Sequence, residues 1–269
     1  MIGQKDWQMG ASIHHRGLGF TLAAMSVGHP VLIALDTATD RVHVALVSGG
    51  QARSADLAGG AQASATLLPS LTGLLSDAGL AWADVDAIAF GAGPGAFTGL
   101  RTACSAAQGL ALGLDKPVIS LDTLMLVAEA ARLSCPSAWA EGDTVWVLQD
   151  ARMDEMYVAA YGWTAAGWVC QHDAQLWPLT EPLSRWGAGA HAAAPKHLAG
   201  SGLKVYADRF EGVDATHLWP NAVPSGGALA ALASQAWAQG RTLDAALALP
   251  RYVRDKVAQT TAERMAAKA

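Results

Sequence analysis

Two stretches of this 269-residue chain follow the same plan. VLIALDTATDRVHVALV and VWVLQDARMDEMYVAAY both read as an apolar run, an acidic turn and an alternating run, and a shift of 114 positions places Asp36 on Asp150 and Asp40 on Asp154. Further along, AIAFGAG and HLAGSG share an apolar run that ends in GxG, offset by 109 positions. Chance similarity between common hairpins is the competing explanation. The repeat predicts an α/β fold of two lobes built on one duplicated plan.

The spacing of apolar residues predicts alternating strands and helices in the first half. Strands are predicted at 31–35, 42–47, 86–90 and 117–121, and helices at 98–114 and 123–133. Another helix carries Leu67, Leu68, Leu71, Leu74 and Leu75 at helical spacing. Thr66 is its predicted N-cap, because Pro69 would then fall in the first turn, where a missing N–H costs little.

The pattern divides the chain into three parts. Residues 31–133 form the predicted first lobe and residues 134–269 the second lobe with a tail. Residues 1–30 lack a sustained period and no small-x-small cleavage site follows their short apolar part, so a signal peptide is disfavoured. We expect this extension to be poorly ordered or an overlong start, with Met25 as the initiator.

Composition excludes several classes of protein. Hydrophobic residues make up 52% of the chain and charged residues 15%, which excludes a disordered protein. A net charge of −5 disfavours direct binding of nucleic acid through a basic surface. The apolar runs are shorter than the roughly 20 residues of a membrane span. Three cysteines without a CxxC pair indicate thiols in a reducing compartment, so we expect a cytoplasmic protein that does not bind membranes.

GAGPGAFTG carries four glycines in nine residues, from Gly91 to Gly99. It matches the GxGxxA pattern of dinucleotide sites, but a hairpin and a helix precede it, whereas that fingerprint belongs on the first strand of a βαβ unit. Pro94 removes a backbone N–H that would face a phosphate, and no GK[ST] follows for a Walker A loop. The glycines are explained equally well if they bind no ligand and serve only to permit unusual backbone angles.

The helix behind this loop is built of small residues, including Ser105 and Gly109. Glycine inside a helix costs about 1 kcal/mol relative to alanine, so another interaction should offset Gly109. Close approach of a second helix would do so, within the chain or across an interface. We therefore favour a packing surface over a phosphate site.

The acidic turn DTATD could belong to a phosphate-binding hairpin of the actin, Hsp70 and sugar-kinase superfold, in which an acid handles a magnesium-bound phosphate. An Asp/Thr turn that bonds its own backbone is the common alternative. Eight histidines include no HExxH, and Pro195 separates His191 from His197 on any shared helical face, so no metal site is predicted.

GAGPGAFTGLR, SAAQGLALGL, SLDTL, DARMDEMY and PRYVRDKVA, in this order, resemble the TsaB (formerly YeaZ) family from about residue 31 to residue 258. The resemblance implies an actin/Hsp70/sugar-kinase-like (ASKHA) two-lobe fold. It also implies a non-catalytic activator of threonylcarbamoyladenosine formation beside the tRNA anticodon, paired with the paralogous catalytic subunit TsaD. A TsaE-type ATPase joins that complex, tRNA is met only through it, and the chain alone is expected to homodimerise.

The resemblance places the partner surface on the helix behind the glycine loop and on the leucine-rich helix before it. The implied interface residues are Leu67, Leu71, Leu74, Phe97, Thr98, Arg101, Ser105 and Gly109. The loop that positions them contains Gly91, Gly93, Pro94, Gly95 and Gly99. The resemblance implies no cofactor that this chain binds by itself. It implies ATP or ADP at the shared interface, with Asp36 and Thr37 as the nucleotide-proximal candidates on this side.

This chain departs from the family pattern at two positions. Ala63 stands where many relatives carry His, near the approach to the partner surface, and Asp154 replaces the Gly of DARMGE. Asp tolerates a left-handed turn better than most residues do. An independent actin-fold ATPase or small-molecule kinase is the alternative function, and a dinucleotide-dependent oxidoreductase, based on GxGxxA alone, ranks behind it.

Overall fold

The computed structural model describes residues 29–60, 63–187, 195–213 and 215–254, so the predicted extension lies almost entirely outside the described residues. The first half contains β1 (Leu32–Asp36), β2 (Arg41–Ser48), β3 (Gln51–Ala58), α1 (Ala63–Asp77), β4 (Ala87–Gly93), α2 (Phe97–Leu114), β5 (Val118–Asp122) and α3 (Thr123–Ser134). The second half contains β6 (Thr144–Asp150), β7 (Glu155–Thr164), β8 (Gly167–Pro178), α4 (Glu181–Trp186), β9 (His197–Ala199), α5 (Gly202–Val205), β10 (His217–Trp219) and α6 (Gly226–Ala238).

The two sheets have the same topology. The first has the order β3-β2-β1-β4-β5 and the second β10-β9-β6-β7-β8, which is the same arrangement read from the other edge. In each, the first strand of an antiparallel hairpin (β1–β2 or β6–β7) pairs in parallel with a strand that ends in a GxG step (β4) or leads directly into one (β9). The duplicated plan predicted from the sequence is therefore confirmed at the level of strand order.

The edge strands β3 and β8 were missed by the apolar pattern. β3 runs antiparallel to β2 with the sequence QARSADLA, and most of its side chains are exposed or only partly covered. β8 likewise alternates exposed and partly covered residues along much of its length beside β7. An edge strand that faces water does not need an apolar run, so hydrophobicity alone does not reveal it.

Helix α1 begins earlier than the sequence predicts. It starts at Ala63, which places Pro69 inside the helix rather than in its first turn, and Thr66 is a helical residue rather than the N-cap. The hydroxyls of Thr66 and Ser70 donate to the carbonyls of Ala63 and Thr66, respectively. A buried stripe on α1 packs against the first sheet and explains why the helix forms there. It consists of Leu67, Leu71 and Leu75.

Among the described residues, three apolar cores hold the fold together. One lies between the first sheet and the helices α1 and α2, and another lies on the far side of the second sheet around Trp177 and Trp186. The third is shared by both halves, because α3 packs on β6 and β7 while α6 packs on β1, β2 and β3. The predicted lobe boundary after residue 133 stays a prediction, and the shared core joins the two sheets across it.

Residues 241–254, here called the C-terminal strap, return to the first sheet after α6. Leu243 pairs with Val118 at the start of β5, and the amide of Arg251 donates to the carbonyl of Ala92 at 2.7 Å. Arg254 then reaches Glu155 at the start of β7. The strap thus passes from one lobe to the other beside the glycine loop.

Candidate functional site

The glycine loop joins β4 to α2 and lies directly on the β1–β2 turn. A side chain at Gly91 would overlap the carboxyl group of Asp36, and one at Gly99 would overlap the carbonyl oxygen of Thr37. These close approaches require glycine and explain the loop by packing within the chain. Pro94 follows Gly93 through a cis peptide bond, and Pro94 and Gly95 line the cleft between the lobes.

Asp36 is fully buried under this loop. Its Oδ1 accepts from the amide of Ala38 at 2.9 Å, and its Oδ2 accepts from the hydroxyl of Thr123 at 3.2 Å. The same hydroxyl accepts from the amide of Gly93 at 3.1 Å, so the carboxyl group, the threonine and the loop form one connected network. Burial raises the pKa of Asp36, although the hydrogen bond from Ala38, the nearby His43 and the Thr123 hydroxyl act against it.

Asp36 and Thr37, the nucleotide-proximal candidates, both lie buried beneath the glycine loop. Thr37 is 3% exposed and its hydroxyl donates to the carbonyl of Gly99 at 2.6 Å. Neither residue is among those that line the interlobe cleft. The physical reason is the glycine loop, which covers both side chains and uses their polar atoms.

The cleft between the lobes has a volume of about 710 Å³. Its charged lining residues are Asp40, Arg41, His43, Asp150, Arg152, Arg251 and Arg254. Arg152 Nη1 lies 3.3 Å from Asp150 Oδ2, and the hydroxyl of Tyr206 donates to Asp150 Oδ1 at 2.8 Å. Burial, followed by the bond to Asp150, raises the pKa of Tyr206 to about 12. Asp150, the repeat equivalent of Asp36, therefore borders the cleft whereas Asp36 does not.

The turn between β6 and β7 also borders the cleft and contains the family departure at Asp154. Arg152, Met153 and Asp154 have φ angles of +63°, +58° and +58°, so three successive residues lie in the left-handed region. The left-handed conformation that DARMGE implies is thus retained with Asp in the glycine position. Asp adopts it at lower cost than most side chains, since its short polar group can hydrogen-bond locally.

Helix α2 has one buried and one exposed face. The buried residues are Leu100, Ala103, Cys104, Ala107 and Ala111. The predicted interface residues Thr98, Arg101, Ser105 and Gly109 are exposed, at spacings of three or four residues along the helix. A Cβ added at Gly109 would meet no atom within 4 Å, so within the described residues no other helix packs against it. Phe97 is half-buried at the start of this face, which we call the docking face.

Helix α1 contributes less to this surface than the sequence predicts. Leu67 and Leu71 are 2% and 0% exposed in the core of the first lobe, and Leu74 is half-buried against it. Leu67 and Leu71 thus lie on the side of α1 that the first sheet covers, and their place at a partner surface stays a prediction. Leu68, at 46% exposure, is the leucine that faces outward, and Ala63 is buried at the first position of the helix.

A residue of the C-terminal strap joins the docking face that sequence reasoning placed on the helices alone. Tyr252 packs on Phe97 with 5.1 Å between ring centroids, and its hydroxyl accepts from Nε of Arg101 at 3.0 Å. In the sequence, the only pointer to Tyr252 was the PRYVR segment, which contributed to the family resemblance but was not given a role.

Two further properties concern only the described residues. Across those ranges, no helix combines the length and apolar character of a membrane span. In the same part of the chain, no three His, Cys, Asp or Glu side chains are grouped so that they could hold a metal ion.

Comparison with known proteins gives matches at the level of family and of fold. The family described as TsaD, tRNA N6-adenosine threonylcarbamoyltransferase, matches residues 60–173. The solved structure of YeaZ from Pseudomonas aeruginosa is 34% identical, covers 83% of this chain and 100% of its own, and has a TM-score of 0.72.

Two curated relatives share the name tRNA threonylcarbamoyladenosine biosynthesis protein TsaB. The Escherichia coli (strain K12) protein is 37% identical over 132 residues, which are 48% of this chain and 54% of the relative. The Haemophilus influenzae protein is 39% identical over 126 residues, or 47% and 51%. The chain thus spans about half the length of these curated relatives.

The repeated sheet order and the cleft between two lobes define the class as an α/β protein of the actin/Hsp70/sugar-kinase-like (ASKHA) fold. Within that class, the similarity to YeaZ along the whole of the solved chain is decisive. The chain belongs to the TsaB (YeaZ) family.

Proposed function

We propose that this protein acts in the biosynthesis of tRNA threonylcarbamoyladenosine as a non-catalytic activator that heterodimerises with a TsaD-type catalytic subunit. Its family membership supports the pathway, since relatives in the same family carry that function in their names. The TsaE-type ATPase would join this pair, and tRNA would be bound through the complex.

The observation that carries the proposal is the docking face on α2. Thr98, Ser105 and Gly109 leave this exposed face with little side-chain bulk, so another helix could approach it closely. The residues that match the TsaD family, 60–173, include both α1 and α2. A catalytic subunit with related helices could therefore pair with this chain through equivalent surfaces, in a pseudo-symmetric heterodimer.

The state of Asp36 supports a non-catalytic role. Its carboxyl oxygens are used by Ala38 and Thr123, and Gly91 packs directly on it. A magnesium-bound phosphate could reach this carboxyl group only if the glycine loop moved away. We therefore place ATP or ADP at the interface with the catalytic subunit and assign no cofactor to this chain alone.

Reconstitution tests the proposal. The TsaD-type subunit, the other pathway proteins, tRNA, threonine, bicarbonate and ATP are combined with and without this chain, and threonylcarbamoyladenosine on the tRNA is quantified. Modification should depend on this chain, because its docking face is needed to order the catalytic subunit. Modification that proceeds equally well without it would refute the activator role.

The alternative, an independent actin-fold ATPase or small-molecule kinase, is tested in parallel on the isolated chain. The interlobe cleft of about 710 Å³ is the feature that this alternative would use. We expect no magnesium-dependent ATP turnover above that of a heat-denatured sample. Turnover that Asp150→Asn abolishes would instead identify the cleft as an active site.

A further inference from the structure

The first turn of α2 is held by contacts from elsewhere in the chain rather than by a cap of its own. Ala96 occupies the N-cap position and provides no side-chain hydrogen bond. Ser, Thr, Asp and Asn are strongly preferred there, because their side chains satisfy one of the free amides. The amide of Ala96 itself donates to the carbonyl of Ala38 at 2.8 Å. The order of the Phe97 and Arg101 side chains at the start of α2 comes from a separate contact.

Tyr252 of the C-terminal strap supplies that order. Its ring lies 5.1 Å from the ring of Phe97 at an interplanar angle of 33°, and its hydroxyl accepts from Nε of Arg101 at 3.0 Å. The guanidinium carbon of Arg101 lies 3.8 Å from the centroid of Phe97. Each of the three side chains thus contacts the other two, although Arg101 and Tyr252 are both exposed and would otherwise sample several rotamers.

The strap runs along α2 in the opposite direction and is anchored on both sides of Tyr252. Before it, Nε2 of Gln108 donates to the carbonyls of Ala245 and Ala248 at 3.1 Å, and the thiol of Cys104 donates to the carbonyl of Ala248 at 3.4 Å. The carbonyl of Arg251 packs on Gly93, where an added Cβ would lie 2.7 Å away. These backbone contacts hold the strap in place.

The anchors that flank Tyr252 are ion pairs with both lobes. Arg251 Nη1 lies 3.2 Å from Asp122 at the end of β5, and its Nη2 lies 3.3 Å from Asp173 in β8. Arg254 pairs with Glu155 and donates to the carbonyl of Arg152 at 3.2 Å. The position of Tyr252 therefore depends on the strap as a whole.

We propose that Tyr252 is a positioning residue for partner docking, which holds Phe97 and Arg101 in the orientation that the catalytic subunit contacts. This inference rests on the function proposed above, in which the docking face of α2 meets that subunit. Aromatic and arginine side chains dominate the binding energy of many interfaces. Their contribution is larger when their rotamers are fixed before binding, because less conformational entropy is lost.

A double-mutant cycle tests whether Tyr252 acts through Arg101. The wild type, Tyr252→Phe, Arg101→Ala and the double variant are titrated with the TsaD-type subunit by calorimetry. Tyr252→Phe keeps the ring contact with Phe97 and removes only the hydrogen bond, so we expect binding weaker by roughly fivefold. In the Arg101→Ala background the same change should have no further effect, because its target is gone.

Two more variants separate positioning from folding. Tyr252→Ala removes the ring as well, and we expect roughly 30-fold weaker binding, as for an interface hot spot. Leu249→Ala changes a strap side chain that is 72% exposed and should bind like the wild type. Melting temperatures of Tyr252→Phe and Leu249→Ala should match that of the wild type, since neither side chain is in a core cluster.

The outcomes distinguish this inference from the proposed function. If the wild type does not bind the TsaD-type subunit, the proposed function itself fails. If the wild type binds but Tyr252→Phe binds equally well, or its effect adds fully to that of Arg101→Ala, Tyr252 is not a positioning residue. Weakening by Leu249→Ala to the level of Tyr252→Ala would likewise contradict the specific role.

Discussion

Gly91 and Asp36 show how one missing side chain organises the centre of the first lobe. The carboxyl group of Asp36 occupies the space that a Cβ at Gly91 would need, and Thr123 links both to the amide of Gly93. The absence of a side chain at Gly91 therefore leaves room for the carboxyl group of Asp36. That carboxyl group in turn holds the glycine loop through Thr123. The polar network is fully bonded, as a buried carboxyl group requires.

Replacement of Gly91 by alanine should destabilise the protein strongly. The added methyl group overlaps Asp36, and either the loop or the turn must move, at an expected loss of about 3 kcal/mol in the free energy of unfolding. Urea denaturation measures this loss in the free energy of unfolding. Gly113→Ala is the control: it lies in α2 with open space around its Cβ, so stability should rise by up to about 1 kcal/mol. Equal stability of the two variants would contradict the packing account.

The raised pKa of Asp36 predicts a pH dependence of stability. Because burial raises the pKa of Asp36 above its usual value of 3.8, the folded state holds this proton more tightly than the unfolded chain does. As pH rises above 3.8, the unfolded chain loses its proton first, so the free energy of unfolding should fall until the pKa of the folded state is passed.

Asp36→Asn removes this contribution, and titrating groups that do not interact with Asp36 cancel in the difference between the two proteins. Urea denaturation of both proteins across the acidic range should show the wild type losing stability relative to Asp36→Asn as pH increases. Parallel pH profiles would mean that Asp36 has no raised pKa in the folded protein.

At the scale of elements, α2 serves two surfaces with one sequence. Its buried alanines fit the first sheet, while its exposed face carries Ser105 and Gly109. Glycine lowers the stability of an isolated helix, and nothing among the described residues packs against Gly109 to compensate. A contact with another chain is the compensation that we propose.

Gly109→Leu should therefore separate folding from docking. The leucine enters open space and improves helix propensity, so the melting temperature should not fall, but its bulk should keep a partner helix away and reduce binding at least about tenfold. Pull-down and calorimetry with the TsaD-type subunit measure the loss. Ser184→Leu, exposed on α4 of the second lobe, is the matched control and should bind normally. Wild-type affinity for Gly109→Leu would exclude this part of α2 from the interface.

At the scale of the whole molecule, the lobes share side chains as well as an apolar core. Glu129 of α3 is 2% exposed and accepts from Nε1 of Trp168 in β8 at 2.8 Å. Arg132 donates to both oxygens of the same carboxylate, each at 2.8 Å. These contacts tie α3 of the first lobe to β8 of the second.

Removal of Glu129 should cost far more than removal of an exposed acid. Glu129→Ala leaves Arg132 and the indole of Trp168 without their acceptor, and we expect a loss of about 3 kcal/mol or more in the free energy of unfolding. Asp208→Ala removes half of an exposed pair with Arg209 and should change stability by less than about 0.5 kcal/mol. Similar losses in both variants, measured by urea denaturation, would show that Glu129 does not tie the lobes.

The self-association of the isolated chain is also predicted for the whole molecule. If the docking face is free, a second copy should occupy it, and sedimentation velocity should show a concentration-dependent homodimer. Addition of the TsaD-type subunit should convert it to a heterodimer, because we propose that both partners use the same face, and Gly109→Leu should be monomeric. A homodimer that persists in Gly109→Leu would place self-association on another surface.

Much of the fold was predictable because its determinants are local. The repeat of strand, acidic turn and strand predicted both hairpins, and two of the small residues singled out in α2, Ser105 and Gly109, lie on its exposed face. The edge strands β3 and β8 were not predictable by apolar pattern, since their side chains largely face water. Leu67 and Leu71 were assigned to a partner surface through the family resemblance, which indicates the helix but not which of its faces the first sheet covers.

The sequence by itself determined the duplicated α/β plan, the glycine loop and the family, because hydrophobic period and short motifs are properties of neighbouring residues. Only the tertiary structure decided what those residues contact. Asp36 became a buried network residue, Gly109 remained exposed, and Tyr252 came to lie on Arg101, 151 positions away in the chain. Such long-range contacts follow from how the sheets, helices and strap pack together, and packing depends on the whole chain at once.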